Sequence, residues 1–385
     1  MTTPDFPQVE YEERLERVQA AMHAARVDAL FFTSEAEVHY FSGFRTLFWL
    51  SPTRPWFLIV PKRGKPIAVI PEIGAALMHE TWIDDIRTWN SPDPVDDGNS
   101  LLASLLTGYP RVGAMMGRET SLRMPLADFE ALRRRLSACE FVDVTAMVQK
   151  LRMVKSPDEI AKIKSICAIA SRSFEAAPAL FSAGQSLKEV FRSFRISLLE
   201  NGADDVPYLV GGAGQGGYSG VISPPTERPL MDGDILMLDT GATLGGYYCD
   251  FDRNFAIGHA PVASRKAYST LSRATDAALA IARPGVRCSE LFRVMAGEIG
   301  AGGSDTAGVG RFGHGLGMQL TEPPSLAPFD DTILAAGMVI TLEPGIEVAE
   351  GRMMVQEENI VIRDGAPELL SWRAPAELPV IGAAS

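Results

Sequence analysis

Apolar residues recur at two different periods along this chain, and the change of period divides it. Over residues 11–25, Leu15, Val18 and Met22 fall on one side of a 3.6-residue repeat with charges opposite, which predicts an amphipathic helix. Apolar runs at 28–33, 55–60 and 66–70 predict short buried strands, the last two joined by a turn at 62–65. A helix at 127–136 and a strand at 140–144 follow, so residues 1–150 read as an α/β domain. Ser156-Pro157-Asp158-Glu159 then combines a capping serine, a proline at the first helical position and a glutamate at the third. A long helix is predicted from there to about 179. Ser186 and Glu189 repeat that spacing for a helix ending at Asn201-Gly202. Further helices fit 264–282, stopped by Pro284-Gly285, and 289–299. Strands fit 235–239, 247–255, 339–343 and 353–362, so residues 151–385 read as an α+β domain built on antiparallel hairpins.

Those hairpins carry acids where strands should be apolar. A reversal at Leu244-Gly245 would set Asp239 opposite Asp250, and one around Glu350 would set Glu343 opposite Glu357. Opposed residues of an antiparallel pair lie roughly 4.5–5.5 Å apart at Cβ, so each pair needs a cation between its carboxylates. Their neighbours, Leu236 and Leu238 or Ile340 and Leu342, are those of buried strands, where an unpaired carboxylate costs several kcal/mol or protonates. Phe312-Gly313-His314-Gly315-Leu316-Gly317 lies between the hairpins, its glycines allowing close backbone approach around an imidazole. Four carboxylates carry four negative charges, which two divalent cations balance. An oxygen-rich set with one imidazole favours Mn²⁺, with Co²⁺, Fe²⁺ or Zn²⁺ as alternatives, and such a pair of ions activates water for hydrolysis.

Length, charge and cysteines narrow the class. At 385 residues the chain exceeds the roughly 250–300 at which single cores stop growing, in keeping with two domains. A net charge of −12 argues against nucleic acid or an anionic membrane as partner. Apolar runs such as 56–60 are strand-sized, well short of the roughly 20 residues a membrane helix needs. Residues 1–10 hold acids and prolines where a secretory signal needs a basic start and an apolar run. Cys139, Cys167, Cys249 and Cys288 are scattered and read as reduced thiols, so a cytoplasmic location is expected.

The motifs resemble those of the pita-bread metallopeptidases, the family of methionine aminopeptidase, aminopeptidase P, prolidase and creatinase. Leu151-Arg152-Met153-Val154-Lys155-Ser156 looks like the opening of the catalytic domain in the prolidase-like branch. Leu238-Asp239-Thr240-Gly241, Cys249-Asp250-Phe251-Asp252-Arg253, Gly313-His314-Gly315-Leu316-Gly317, Thr341-Leu342-Glu343-Pro344-Gly345 and Glu357-Glu358-Asn359 follow in the family's order. The resemblance implies a creatinase-like N-terminal domain, a pita-bread catalytic domain and a homodimer in which the neighbour's N-terminal domain closes the site. It implies two metals on Asp239, Asp250, His314, Glu343 and Glu357, with Glu343 as general base beside the attacking water. Cleavage of an amide C–N bond in a small molecule or dipeptide is the expected reaction.

Departures from the family pattern bear on substrate. Proline-specific members carry a histidine in the loop before the first metal strand, and the corresponding stretch 208–230 has none. They carry a second where this chain has Thr321, and threonine cannot pass a proton as imidazole does. The usual threonine after the second aspartate is Asp252, either beside the metals or paired with Arg253. These changes turn the expectation from an ordinary Xaa-Pro peptidase toward a specialised amidine or lactam hydrolase. A metal-dependent lyase and a non-catalytic binding module are further alternatives.

Gly212-Ala213-Gly214-Gln215-Gly216-Gly217 fits a dinucleotide fingerprint, but Ser223-Pro224-Pro225 leaves no helix to follow it. It reads instead as a pocket loop with Tyr218 as its polar contact. Cys249 points away from the acids and packs. The aromatic stretch 48–56 is explained by packing and a turn, or by a lid in which Trp49 and Arg54 meet the substrate. His39 and His79 read as ordinary histidines, with supply of an imidazole to the neighbouring subunit as the alternative.

Overall fold

The computed structural model describes residues 5–303, 306 and 310–382, so the first four residues of the acid- and proline-containing start lie outside it. The chain divides into two compact units, Met1–Leu151 and Arg152–Ser385. In the first, six strands form one mixed sheet in the order β4-β3-β2-β1-β5-β6. They are β1 (Ala29–Phe32), β2 (Phe57–Pro61), β3 (Ile67–Pro71), β4 (Asp85–Trp89), β5 (Arg111–Ala114) and β6 (Glu140–Asp143). The expected strands are β1, β2, β3 and β6, and the expected helices are Gln8–Ala25 and Leu126–Arg135. Strands β1 and β2 are buried at every position, which is why they read as continuous apolar runs rather than alternating ones. The helix Glu35–Ser42 was not legible, because all but its first residue is buried and no polar stripe marks its period.

In the second unit the capping box is formed at Pro157–Glu175. The Ser156 hydroxyl accepts from the Glu159 N–H at 3.2 Å, and the Glu159 carboxylate accepts from the Ser156 N–H at 2.9 Å. That helix buries Ile160, Ile163, Cys167, Ala170 and Phe174 at spacings of three and four, each large side chain stabilising the fold by roughly 1.5–3 kcal/mol. Helices Leu187–Glu200, Val262–Ile281 and Cys288–Ala301 stand within a few residues of expectation. One sheet pairs β7 (Asp205–Gln215), β8 (Asp234–Leu244), β9 (Tyr247–Tyr248), β10 (Phe251–Ile257) and the late strand β18 (Val380–Ile381). A second has the order β12-β11-β13-β16-β17, from β11 (His314–Gly315), β12 (Glu322–Ser325), β13 (Val339–Leu342), β16 (Glu358–Val361) and β17 (Glu368–Leu369). Strands β14 (Gly345–Ala349) and β15 (Arg352–Val355) form a hairpin that continues the β13–β16 pair. Part of the stretch read as a loop before the first acid strand is therefore β7, hydrogen-bonded along β8. Among the described residues no helix is long and apolar enough to cross a membrane.

An ion triplet locks the start of this unit. Glu322 is buried against Arg152 and Lys155, the latter at 3.1 Å, and the two cations hold its carboxyl down at about 2 against the burial that would raise it. A depressed carboxyl contributes stability that is present above its ordinary value near 4.5 and lost as the pH falls toward 2. Glu322→Gln should therefore unfold more easily than wild type at neutral pH, with a gap that narrows between about pH 5 and about pH 2.5. Urea melts across that range check it, and a gap independent of pH would contradict the assignment.

Candidate metal centre

The first acid hairpin turns one residue later than its sequence suggested. Gly245 and Gly246, at φ 59° and 76°, form the two-residue connection, because two successive positive φ values suit glycine and match the twist of the strands. That shift sets Asp239 opposite Asp252, not Asp250. Moving the centre by one residue moves the partner by two, so Asp250 keeps the same face. Its strand is interrupted there, between β9 and β10. The Asp250 N–H donates to Asn359 Oδ1 at 3.0 Å, and the Asn359 amide donates back to the Asp250 carbonyl. Asn359 lies on β16, so the second sheet holds the backbone of Asp250.

The second hairpin follows its expected register. Leu342 pairs with Glu358 on one side of the break and Gly345 with Val355 on the other, which leaves Glu343 and Glu357 level with each other. His314 sits between the hairpins on β11. Gly313 adopts φ 128°, and a Cβ there would lie 2.2 Å from the Thr341 carbonyl oxygen; one at Gly315 would lie 2.2 Å from that of Pro323. The glycines are thus required by close backbone approach. Gly313→Ala should cost about 2 kcal/mol or more through strain and displacement of the imidazole. A denaturant melt within 0.5 kcal/mol of wild type, on the usual scale of surface substitutions, would remove that role.

His314 Nδ1 lies 2.9 Å from the Gly315 carbonyl, and donation there leaves Nε2 as a lone pair directed at the acids. Nε2 is 3.4 Å from Asp250 Oδ2, and one donor atom each from Asp250, His314 and Glu357 lie within 4.8 Å of one another. Burial lowers the imidazole to about 4, so it is neutral at physiological pH. Asp239 and Glu343 line the same cavity of about 290 Å³ as those three residues. All four carboxyls are pushed up, first by burial; Asp250 and Glu357 are raised further by the other acids, and Glu343 by Asp239. Asp239 Oδ1 and Glu357 Oε1 are buried with no hydrogen-bond partner among the described residues. Mutually repelling carboxylates with orphaned oxygens around a neutral imidazole fit a multivalent cation and nothing apolar.

Other expected site residues take several positions. Thr321 lines the cavity. Tyr218 does not: it is fully buried, its hydroxyl accepts from the Val355 N–H at 2.5 Å, and its backbone bridges Met353, so it fixes β15. Its ring folds inward against that strand, while Val221 and Ile222 of the same loop line the pocket. The Asp252 carboxylate does not pair with the Arg253 guanidinium, which instead donates to the Asp252 carbonyl at 2.6 Å, the Glu358 carboxylate at 2.9 Å and the Glu357 carbonyl at 2.8 Å. Alternation along β10 sends residues 252 and 253 to opposite faces. Asp252 stays on the acid face, buried, with its carboxyl raised well above its ordinary range by burial and by Asp239. Cys249 packs behind the acids, near the Thr240 and Ala242 carbonyls. In the first unit Trp49 is buried against Trp56 with the Arg123 guanidinium over its ring, and Arg54 donates to the Ser91 carbonyl. His39 is buried against Asp5 at 3.0 Å, whereas His79 is exposed.

Three residues of this centre were not singled out from sequence. Tyr208, on β7, donates to Asp239 Oδ2 at 3.2 Å and lines the cavity. Val206, Leu209 and Val210 around it are strand-like, but the glycines from 211 to 217 outweighed them. Asn359 was legible only as part of a motif. Arg311, three residues before His314, had no periodic signal at all.

The sequence matches the description Metallopeptidase family M24 over residues 161–364, and Creatinase/Prolidase N-terminal domain over residues 14–154. It is similar to "Probable dipeptidase PepE" of Mycobacterium tuberculosis, 29% identical over 383 residues and covering 96% of each chain. It is 25% identical over 362 residues to the "Xaa-Pro dipeptidase" of Pyrococcus furiosus, covering 93% of this chain and 97% of that one. Among solved structures, dipeptidase PepE from Mycobacterium ulcerans matches with a TM-score of 0.85 at 27% identity, over 98% of this chain and 99% of that one. A prolidase from Thermococcus sibiricus shares the fold, with a TM-score of 0.86 at 24% identity over 96% and 99% of the two chains.

Proposed function

This chain belongs to metallopeptidase family M24, a creatinase-type N-terminal domain preceding a pita-bread catalytic domain, and from that premise we propose that it is a two-metal dipeptidase. It is a metal-dependent hydrolase of amide C–N bonds. The observation that carries the finer reading is the pair of orphaned buried oxygens, on Asp239 and Glu357, in a cavity that also takes Asp250, His314 and Glu343. Those five residues are our ligand set, and their four negative charges match two divalent ions. Manganese suits the preponderance of carboxylate oxygen. Bound there, the ions would supply Lewis-acid activation of water and of the scissile carbonyl.

The side chains then divide the remaining work. Glu343 takes the proton of the attacking water. Tyr208 orients Asp239 through its hydroxyl, and Asn359 holds the backbone of Asp250 across the two sheets. His314 offers Nε2 because the Gly315 carbonyl engages Nδ1. Val221, Ile222 and Leu320 give the cavity an apolar wall, with Ile222 exposed at its rim.

The amidine and lactam alternatives drawn from the missing histidines, and the separate lyase alternative, are not favoured, since the similar curated proteins bear dipeptidase names. With Thr321 lining the cavity where proline-specific members carry a histidine, the leaving nitrogen is protonated without an imidazole at that position. A homodimer closed by Trp49 and Arg54 of the neighbouring N-terminal domain, and a cytoplasmic location in keeping with four free thiols, complete the reading. Turnover of a dipeptide panel by the manganese-loaded protein tests it. Hydrolysis of Xaa-Pro or Xaa-Xaa dipeptides is expected, and a metal-loaded protein inert toward the whole panel would contradict it.

A further inference from the structure

Beside its four proposed ligand carboxylates the cavity lining presents a cation. Two divalent ions cancel the four carboxylates, and one cationic side chain among the described lining residues remains, that of Arg311. It is half-buried, and no described acid pairs with it. Its side-chain partner is neutral, the Ser325 hydroxyl at a long 3.4 Å. A guanidinium has five N–H donors in a planar fork suited to a carboxylate, so among the described residues one weak neutral contact leaves most of that capacity unused. It lines the same cavity as Asp250, Glu343 and His314, which places it over the site rather than on the outer surface. The wall around it is apolar at Val221, Ile222, Leu320 and Val355. At about 290 Å³ the cavity lies at the small end of ligand pockets.

We propose that Arg311 is the anion anchor of this site, binding the free C-terminal carboxylate of a dipeptide whose C-terminal side chain is apolar and packs on the Ile222–Leu320 wall. This rests on the dipeptidase reading and adds its substrate class. The anchor confines cleavage to a peptide bond one residue from a free carboxylate, so C-terminal amides and longer chains are poor substrates. The same contact makes free apolar amino acids product inhibitors.

The test compares matched dipeptide acids and amides, such as alanyl-leucine and alanyl-leucinamide, on manganese-loaded wild type, Arg311→Gln and Arg311→Lys, with metal content measured on each. Wild type is expected to favour the acid in kcat/KM by on the order of 10- to 100-fold. Arg311→Gln should bring that ratio close to one, chiefly through KM, and Arg311→Lys should restore part of it. Inhibition of wild type by leucine but not leucinamide is the matching result and needs no variant to fold. Equal turnover of acid and amide by wild type, or an unchanged preference in Arg311→Gln, overturns the anchor and leaves the dipeptidase reading standing. A metal-loaded wild type that cleaves no member of a panel of Xaa-Pro and Xaa-Xaa dipeptide acids and amides overturns both.

Discussion

Replacing Glu343 by glutamine is expected to reduce kcat by about 10³-fold or more while leaving a folded protein, because a general base contributes some 10²–10⁴-fold and a ligand charge is lost with it. The amide keeps the shape of the carboxylate and an oxygen to point into the cavity, but it cannot take a proton from water. The same substitution should make the metal-free protein more stable than metal-free wild type. Glu343 is buried among acids that raise one another's carboxyls, and deleting one charge relieves the others. Lost turnover with a raised metal-free melting temperature identifies a functional charge held at the cost of stability. Turnover within tenfold of wild type would remove Glu343 from the chemistry.

Stripping the metal from wild type should lower its melting temperature by roughly 10 °C, since ions at about a thousand times their dissociation constant stabilise a protein by about 4 kcal/mol. The effect should grow with pH. The four carboxyls are raised, so in the metal-free protein their contribution is fully present below the ordinary carboxylate range and is lost as the pH rises through their raised values. His314, lowered to about 4 from 6.5, has the opposite dependence, confined to the interval between those values. Thermal melts from about pH 6.5 to about pH 8.5 therefore isolate the acids. The metal-free protein should lose stability across that interval, and the metal-loaded protein, whose carboxylates face cations, should change far less. Parallel curves for the two forms would mean that the ions do not meet the acids.

Much of this centre was legible because acids on otherwise apolar strands violate the cost of burying charge, and their spacing can be read against a turn. The Glu343–Glu357 register followed from the turn around Glu350, whereas Leu244-Gly245-Gly246 admits two turn centres and only the pair of positive φ values at the glycines decides between them. Both choices leave Asp239 and Asp250 on one face, so the acid set survived an error in pairing. Tyr218 was misread because its glycine-rich surroundings suggest an open loop, while packing against β15 turns the ring inward. Tyr208, Asn359 and Arg311 act across elements distant in sequence, and such contacts leave no local period to read.

Metal stoichiometry of the manganese-saturated, gel-filtered chain, measured by plasma mass spectrometry beside Asp250→Ala and Glu357→Ala, tests the central claim most directly. The account predicts two ions per wild-type chain and fewer in both variants. A wild-type chain that retains none, or that hydrolyses dipeptides without them, would contradict it.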